Sequence, residues 1–303
     1  MDINSFIDTP IRKRTRKKKL TVTRIIAISL LVICFTILCI CTGKLFFKIY
    51  QHSRLNSDYK SVLEQNMLLA ENTSELNEIY ANKKAEYNEV QKEYDEVMAN
   101  SPIAYLTFDD GPSDNTMKLL DVLDKYNVKA TFFVVYKEGY DEVYKEMVKR
   151  GHVLANHTYS HEYTEIYASP EAFINNILKL DKKLEEITGV PPSKILRFPG
   201  GSNTGFVTPE NFAKIKAKLD ELGYSYYDWN VDSTDALTQT QPKDVIVNEV
   251  LNGADLVNTA NVLMHDTNMK DTTIDALPEI IKGLKERGYR FKSLDHDSVK
   301  IQF

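Results

Sequence analysis

Polar residues with catalytic and metal-binding side chains follow short apolar segments at five places in the C-terminal two thirds of this 303-residue chain. In a (β/α) barrel, the groups that do chemistry lie just beyond the C-terminal ends of the strands. We therefore expect the five clusters to converge on one face of the fold. The clusters are Asp109-Asp110, His157 with His161, Arg197-Phe198-Pro199-Gly200-Gly201, the segment 228–235, and His265-Asp266.

Two histidines and one carboxylate among these residues would form a metal site. His157 and His161 are four residues apart, a spacing that places two imidazoles on one face of a helical turn. Taken alone, the pair fits two exposed loop histidines equally well, and Asp109-Asp110 before Gly111 is ordinary turn chemistry. Together they predict a three-ligand site with open positions for water and substrate. Zn²⁺ is the favoured ion, and Co²⁺, Ni²⁺ or Mn²⁺ could also fit.

His265 is the candidate general acid, because histidine titrates near neutral pH and this one follows the apolar segment 262–264. Asp235 is the favoured residue to orient and charge the imidazole, with Asp266 and Asp228 as alternatives. The competing interpretation is a capping or surface histidine.

Arg197 is a candidate ion-pair partner. It could pair with Asp109 or with Asp235 and so keep the carboxylate ionised. The competing interpretation is an ordinary ion pair on the surface.

Strand-like and helix-like segments alternate from Pro102 to the C-terminus and would position these groups. This alternation predicts an α/β fold with a parallel sheet or a barrel. Just over 200 residues suit a distorted or incomplete (β/α) barrel. The predicted strands are 103–108, 130–135, 152–155, 195–198, 224–227, 261–264 and 289–291, and the predicted helices are 115–126, 141–150, 170–188, 209–222, 242–252 and 274–287.

Five motifs in order resemble those of the NodB-homology polysaccharide deacetylases, carbohydrate esterase family 4. The resemblance covers residues 102 to 295 and reaches neither the N-terminal apolar segment nor the segment that follows it. A single motif of this kind is weak, whereas five in order are specific. The motifs are Thr107-Phe108-Asp109-Asp110-Gly111, His157-Thr158-x-x-His161, Arg197-x-Pro199-Gly200, Asp232-x-x-Asp235 and Leu263-x-His265.

The resemblance implies a role for each matching residue. Asp109 corresponds to the general base, and Asp110, His157 and His161 correspond to the metal ligands. The remaining matches are the arginine that braces the base (Arg197), the oxyanion donor (the Gly200 amide), the general acid (His265), the residue that tunes it (Asp235), and a wall of the acetyl pocket (Leu263).

One position departs from the family pattern. The fourth motif usually ends in Asp-Trp, whereas Asp235 is followed here by Ala236. The missing indole should open one wall of the acetyl or sugar site without removing a proton donor or a metal ligand. Trp229, Tyr227 and Phe206 could stack on sugar rings instead, although packing in the core or wall is the simpler interpretation for each of them.

A basic tail precedes an apolar segment at the N-terminus. Residues 1–24 carry eight basic and two acidic residues, whereas the remainder carries 30 basic and 41 acidic residues. The uncharged run 25–43 would span roughly 28 Å as a helix, close to the apolar core of a bilayer. Basic residues before it predict a single-pass anchor with a cytoplasmic N-terminus and an extracellular remainder. A cleaved signal peptide is the alternative, but no convincing cleavage site follows the run.

Residues 50–99 contain neither Gly nor Pro and carry apolar or aromatic residues at alternating steps of three and four. This pattern predicts a helical stalk of roughly 65 Å, with a parallel coiled-coil homodimer as one option. A helix that packs on the surface of the domain is the other.

These features predict a membrane-anchored, metal-dependent hydrolase that removes N-acetyl groups from a cell-wall glycan, with GlcNAc of peptidoglycan as the favoured substrate. MurNAc and an exported exopolysaccharide are alternatives, and a catalytically inactive glycan-binding protein is the alternative of another class. The acidic main body argues against nucleic acid as a partner.

Overall fold

The computed structural model describes residues 22–69 and 74–303, which form one compact unit ending at Met98 and a second from Ala99 to Phe303. The first unit contains α1 (Val22–Leu69) and most of α2 (Ser74–Asn100). Within the described residues, α1 is the one helix long and apolar enough to cross a membrane, by length and composition. The predicted basic tail, residues 1–24, lies almost wholly outside the described part of the chain.

The helices α1 and α2 pair with each other through aromatic side chains. His52 stacks on Tyr94 with ring centroids 4.4 Å apart, and Tyr59 stacks on Tyr87 at 4.8 Å. Because earlier residues of α1 meet later residues of α2, the two helices run antiparallel. The predicted helix over 50–99 is therefore two helices, and the aromatic seam packs within one chain. Heptad spacing does not reveal whether the partner belongs to the same chain or to another.

In the second unit, strands and helices alternate in the order predicted from the sequence. Its strands are β1 (Ile103–Asp109), β2 (Thr131–Val134), β3 (Val153–Asn156), β4 (Ile195–Leu196), β5 (Ser225–Tyr226), β6 (Val231–Asp232), β7 (Thr259–His265) and β8 (Arg290–Phe291). Its helices are α3 (Thr116–Lys125), α4 (Asp141–Lys149), α5 (Tyr163–Ile166), α6 (Pro170–Thr188), α7 (Pro209–Glu221), α8 (Lys243–Ala254) and α9 (Asp271–Glu286). The short elements α5 and β6 were not predicted, because neither is long enough to show a periodic pattern.

The eight strands form one parallel sheet in the order β5-β4-β3-β2-β1-β7-β6, with β8 pairing with the first residues of β1. No pairing joins β5 to β6 among the described residues, so the curled sheet remains open. The prediction of an incomplete (β/α) barrel is thereby confirmed. The parallel direction brings the C-terminal ends of all the strands to the same edge.

Local sequence signals account for the helix ends that matter here. The Ser169 side chain accepts a hydrogen bond from the Ala172 amide at 3.1 Å and caps α6, which terminates at Gly189 with φ of 69°. Inward-facing residues of the sheet and of the covering helices form the main core, including Phe108, Phe132 and Leu180. α6 thus has a defined position behind the loop that follows β3.

Candidate active site

The loop after β1 turns two neighbouring carboxylates towards the same pocket. Asp109 is the last residue of β1 and is buried, whereas Asp110 adopts a left-handed backbone conformation with φ of 68°. The Asp110 amide donates to the Phe133 carbonyl at 3.2 Å, and its carbonyl accepts from Nζ of Lys137 at 2.9 Å. On an extended chain the two side chains would point to opposite sides, so this turn at Asp110 is what brings them together.

The segment 157–161 is an irregular loop after β3, and the predicted helical turn is wrong. Thr158 and His161 have positive φ values of 71° and 56°. The loop closes through its own polar groups, since the Asn156 side chain accepts from the Thr158 amide at 2.8 Å and the Thr158 hydroxyl accepts from the His161 amide at 3.2 Å. The two imidazoles still lie together, with ring centroids 5.1 Å apart.

Asp110, His157 and His161 together could hold a metal ion. One ligand atom of each lies within 4.8 Å of the other two. The Nδ1 atom of His157 lies 2.8 Å from the Arg197 carbonyl and must carry the proton there, which leaves the Nε2 lone pair facing Asp110. The buried Asp110 Oδ1 atom accepts no hydrogen bond from any described residue. This unsatisfied oxygen beside two imidazole nitrogens fits a divalent cation of the zinc type.

The protonation states of two of these groups also suit a cation. Burial lowers the pKa of His157, which favours the neutral imidazole. Burial alone would raise the pKa of Asp110, but the neighbouring imidazoles of His157 and His161 outweigh it and lower that pKa. A neutral histidine and an ionised aspartate are the forms that bind metals.

Arg197 forms a buried ion pair with Asp109, which decides between the two partners considered for it. Its Nη1 atom lies 2.9 Å from Asp109 Oδ1, and neither side chain is more than 4% exposed. The other carboxylate oxygen of Asp109, Oδ2, lies 3.7 Å from Nε2 of His157, which is one of the three candidate ligand atoms. Asp109 thus has one oxygen held by the guanidinium and one facing the candidate metal site.

The guanidinium itself is held by four further hydrogen bonds. Nη1 also donates to the Thr107 hydroxyl at 2.7 Å, Nε to the Tyr227 carbonyl at 2.9 Å, and Nη2 to the Asp228 carbonyl at 2.9 Å and the Asn261 side chain at 3.3 Å. A charge this deeply buried is tolerated because its donors are satisfied. Arg197 therefore has a single orientation.

His265 and Asp235 form a second charged pair beside the first. Nδ1 of His265 lies 2.7 Å from Asp235 Oδ1, and the His265 amide donates to Oδ2 at 2.9 Å. Burial acts against the charged imidazole, but the hydrogen bond and the charge of Asp235 raise the pKa of His265 to about 9. Asp235 is held in turn by the Thr273 hydroxyl at 2.9 Å. The pairing with Asp235 thus favours the protonated imidazole at neutral pH.

The two other carboxylates considered for this role have different partners. Asp266 accepts from Thr116 at 2.6 Å and from Ser113 at 2.7 Å, which ties down the start of α3. Asp228 accepts from the hydroxyl and the amide of Ser202. Neither bonds to the imidazole of His265, so Asp235 is its partner.

The remaining predicted residues line the same region. Gly200 has φ of 79°, and no described residue accepts a hydrogen bond from its amide. Leu263 is buried on β7, opposite Thr107 in the sheet register. Trp229 is partly buried, packs edge-on against Phe303 with ring centroids 4.9 Å apart, and lies over the Arg197 guanidinium at 5.7 Å.

A cavity of about 380 Å³ opens beside the imidazole of His265. Ala236 forms part of its wall, at the position where the family pattern has Trp. The exposed side chains of Leu237 and Met269 flank it, the former 76% and the latter 45% exposed. Space therefore exists at the site of the sequence departure.

Three further residues support the site and were not predicted. Lys137 bonds to the Asp110 carbonyl, Asn176 of α6 bonds to the 157–161 loop, and Lys270 donates to the Asp235 carbonyl at 2.6 Å. They act through long-range contacts, so no local spacing marks them in the sequence.

Comparisons with known proteins agree on the family. Residues 96–226 match the family described as polysaccharide deacetylase. A peptidoglycan-N-acetylglucosamine deacetylase of Bacillus cereus is 33% identical over 203 residues, which cover 65% of this chain and 70% of that relative. A peptidoglycan-N-acetylglucosamine deacetylase PgdA of Listeria monocytogenes is 33% identical over 230 residues, which cover 75% of this chain and 44% of that longer relative.

Solved structures show the same relationship. The catalytic domain of a peptidoglycan N-acetylglucosamine deacetylase from Eubacterium rectale superposes with a TM-score of 0.63 and 39% identity, covering 67% of this chain and 92% of that structure. A polysaccharide deacetylase of Bacillus cereus superposes with a TM-score of 0.58 and 29% identity, covering 66% of this chain and 96% of that structure. This chain therefore belongs to the polysaccharide deacetylase family, carbohydrate esterase family 4.

Proposed function

We propose that this protein hydrolyses the N-acetyl groups of a cell-wall glycan, with GlcNAc of peptidoglycan as the substrate and a divalent metal ion as cofactor. One observation carries the proposal. Three side chains that could hold a metal ion, a carboxylate held by a buried arginine, and a histidine paired with a buried aspartate meet at one edge of the sheet. Metal-assisted amide hydrolysis needs a ligand set, a base and an acid in that arrangement.

Asp110, His157 and His161 would hold the ion, with Zn²⁺ favoured and Co²⁺, Ni²⁺ or Mn²⁺ as alternatives. When bound there, a divalent cation polarises the acetamide and acidifies a water molecule. The free oxygen of Asp109, on the side away from Arg197, accepts the proton of the attacking water. Arg197 holds and orients Asp109 for this step.

His265 acts on the other side of the scissile bond. Its Nδ1 atom is bound to Asp235, so Nε2 presents the proton that the departing amine requires. The amide of Gly200 donates to the oxygen that becomes negative when water attacks the carbonyl. Acetate leaves, and the sugar retains a free amine. Leu263 faces the acetyl methyl, and Trp229 contributes an aromatic surface for a sugar ring.

The choice of peptidoglycan GlcNAc is supported by the similarity to the Bacillus cereus and Eubacterium rectale proteins, which are peptidoglycan N-acetylglucosamine deacetylases. MurNAc and an exported exopolysaccharide remain alternatives that the same chemistry would serve. The space beside Ala236 bears on this choice, because a wider site admits a sugar with a bulkier substituent.

We further propose that the apolar part of α1 is a single-pass anchor with the N-terminus in the cytoplasm and the catalytic unit outside the cell. Basic residues before the apolar run support this orientation. A cleaved signal peptide is the alternative, and the mature N-terminus distinguishes the two. The segment expected to form a single extended stalk is the α1–α2 hairpin of one chain, because Tyr59 and Tyr87 stack within that chain. A homodimer through this seam would require the stacked side chains to exchange partners.

The test is release of acetate from purified peptidoglycan by the full chain in detergent, with and without a chelator. Mass analysis of the digested wall assigns the loss of acetyl to GlcNAc or MurNAc, and an exopolysaccharide is offered in parallel. Activity that chelator removes and metal restores is the expected result. Glycan binding by the metal-loaded protein without release of acetate from any of these polymers would instead establish the inactive binding protein.

A further inference from the structure

The loop that carries both histidines of the candidate metal site is strained. Thr158 and His161 have φ values of 71° and 56°, in the left-handed region that residues with side chains seldom adopt. Such conformations persist where surrounding contacts over-determine them. The contacts that hold this loop therefore also hold His157 and His161 in place.

One side chain of α6 makes the central contact. The Oδ1 atom of Asn176 accepts hydrogen bonds from two successive loop amides, Tyr159 at 2.5 Å and Ser160 at 3.3 Å. Its Nδ2 atom donates to the Ser160 hydroxyl at 3.3 Å and to Glu165 at 3.0 Å. Asn176 is 5% exposed, so water does not replace these partners easily.

Other contacts hold the carbonyl and the ring of Tyr159 and the strand side of the loop. The Tyr159 carbonyl accepts from the Tyr136 amide at 3.1 Å, and the two rings stack with centroids 4.8 Å apart. Asn156 bonds to the Thr158 amide from the strand side. The Tyr159 and Ser160 amides thus depend on Asn176, the one side chain among the described residues that accepts from both.

We propose that Asn176 is a positioning residue that pre-forms the metal site by fixing the backbone between His157 and His161. The inference rests on the proposed function, since it concerns the same ligands. Without the side-chain oxygen, two amides lose their acceptor and the loop relaxes from its left-handed conformations. His161 then leaves the position at which its imidazole meets Asp110. Outer-shell partners of this kind change metal affinity by about 10–100-fold.

The experiment compares metal binding by the full chain and its variants in detergent. Asn176→Leu has similar volume and no acceptor, and Asn175→Leu is the same change at the exposed neighbouring position. Leu180→Ala weakens the core beneath α6 at a residue whose side chain makes no hydrogen bond to the loop. Asn176→Asp retains an acceptor oxygen, and Asn176→Ala carries the test if Asn176→Leu does not fold.

Three quantities are measured: the dissociation constant for Zn²⁺ by competition with a chelating dye, the absorption spectrum with Co²⁺, and the Tm of the metal-free protein. We expect Asn176→Leu to bind Zn²⁺ about 10–100-fold more weakly and to alter the Co²⁺ spectrum. Asn175→Leu and Leu180→Ala should match the wild type in both metal readouts, whatever their Tm. Asn176→Asp keeps the acceptor but places a carboxylate against Glu165 in place of the Nδ2 donor, so it should recover only part of the affinity.

The outcomes separate this inference from the proposed function. If the wild type binds Zn²⁺ and Asn176→Leu binds it equally well, Asn176 does not position the site. If Leu180→Ala loses as much affinity as Asn176→Leu, the effect is one of general stability and the inference is wrong. If the wild type itself binds neither Zn²⁺ nor Co²⁺, the metal site of the proposed function is refuted and the inference falls with it.

Discussion

Replacement of Asp235 by Asn tests the proposed proton donor. The substitution keeps the shape of the side chain, and its amide oxygen can still accept from the His265 amide and the Thr273 hydroxyl. It removes the negative charge that lies 2.7 Å from the imidazole. With that charge gone, burial is the largest remaining influence on the pKa of His265 and disfavours the charged form, against the smaller opposite effects of Asp109 and Asp110.

The size of the effect follows from the pKa of His265. The pKa is about 9 with Asp235 in place and should fall to its ordinary value of 6.5 or lower in Asp235→Asn. This difference corresponds to about 3 kcal/mol. At pH 8 about 90% of the wild-type imidazole is protonated, against about 3% in the variant, whereas at pH 6 both are largely protonated. The loss of kcat/KM in the variant should therefore be about 20-fold larger at pH 8 than at pH 6.

The same shift affects stability with a defined sign. Because the pKa of His265 in the folded protein lies above its ordinary value, the pair stabilises the fold fully below about pH 6.5. That contribution is lost as the pH rises through about 9. The free energy of unfolding of the wild type should thus exceed that of Asp235→Asn by more at pH 6 than at pH 9.

Two measurements check the prediction. Acetate release is followed from pH 5.5 to 9 for both proteins, and the imidazole of His265 is titrated by NMR in the metal-free proteins. A bound cation lowers the pKa in both, so the difference between the proteins is the quantity compared. An equal loss of activity at pH 6 and pH 8, or an unchanged pKa of His265 in the variant, would refute the reasoning.

Three further predictions follow from the same geometry. Asp109→Asn should lower kcat by about 10²–10⁴-fold and keep its Zn²⁺ content, whereas His157→Ala should lose the metal. Full turnover in Asp109→Asn would exclude Asp109 as the base. In Lys270→Met the carbonyls of the loop after β6 lose the ammonium group that donates to them. The free energy of unfolding should therefore fall by about 1–3 kcal/mol, and KM should rise. An unchanged Tm would contradict this prediction. Cysteines placed at Tyr59 and Tyr87 in a cysteine-free chain should cross-link within one chain on a denaturing gel; cross-linked dimers alone would show pairing between chains.

Much of the fold was predictable from the sequence because its signals are local. Pro170 and Gly189 bound α6 through the fixed φ of proline and the positive φ of the glycine, and both ends agree with the structure. Strand edges were less accurate. The prediction began β3 at His152, whereas the strand starts at Val153. The Nδ1 atom of His152 accepts a hydrogen bond from the Ala130 amide, so a side chain and not the backbone of His152 makes this contact.

The helical hairpin shows the opposite case. The steps of three and four along 50–99 correctly indicated helix, but they carry no information about direction or partner. The antiparallel pairing depends on contacts such as His52 with Tyr94, which are 42 positions apart. The same limit applies to Asn176, whose contacts with the 157–161 loop come from a different element.

The backbone at the site explains why residue types were easier to predict than geometry. The described chain has six non-glycine residues with positive φ, and Asp110, Thr158 and His161 are three of them. Each such conformation destabilises the fold by about 1–3 kcal/mol. Spacing rules assume a regular helix or strand, in which no residue adopts it. Asp109 and Asp110 would face opposite sides on a regular strand, and His157 and His161 would share a face on a regular helix. The structure uses neither regular form, and strained turns held by Asn156, Asn176 and Lys137 bring these side chains into one pocket.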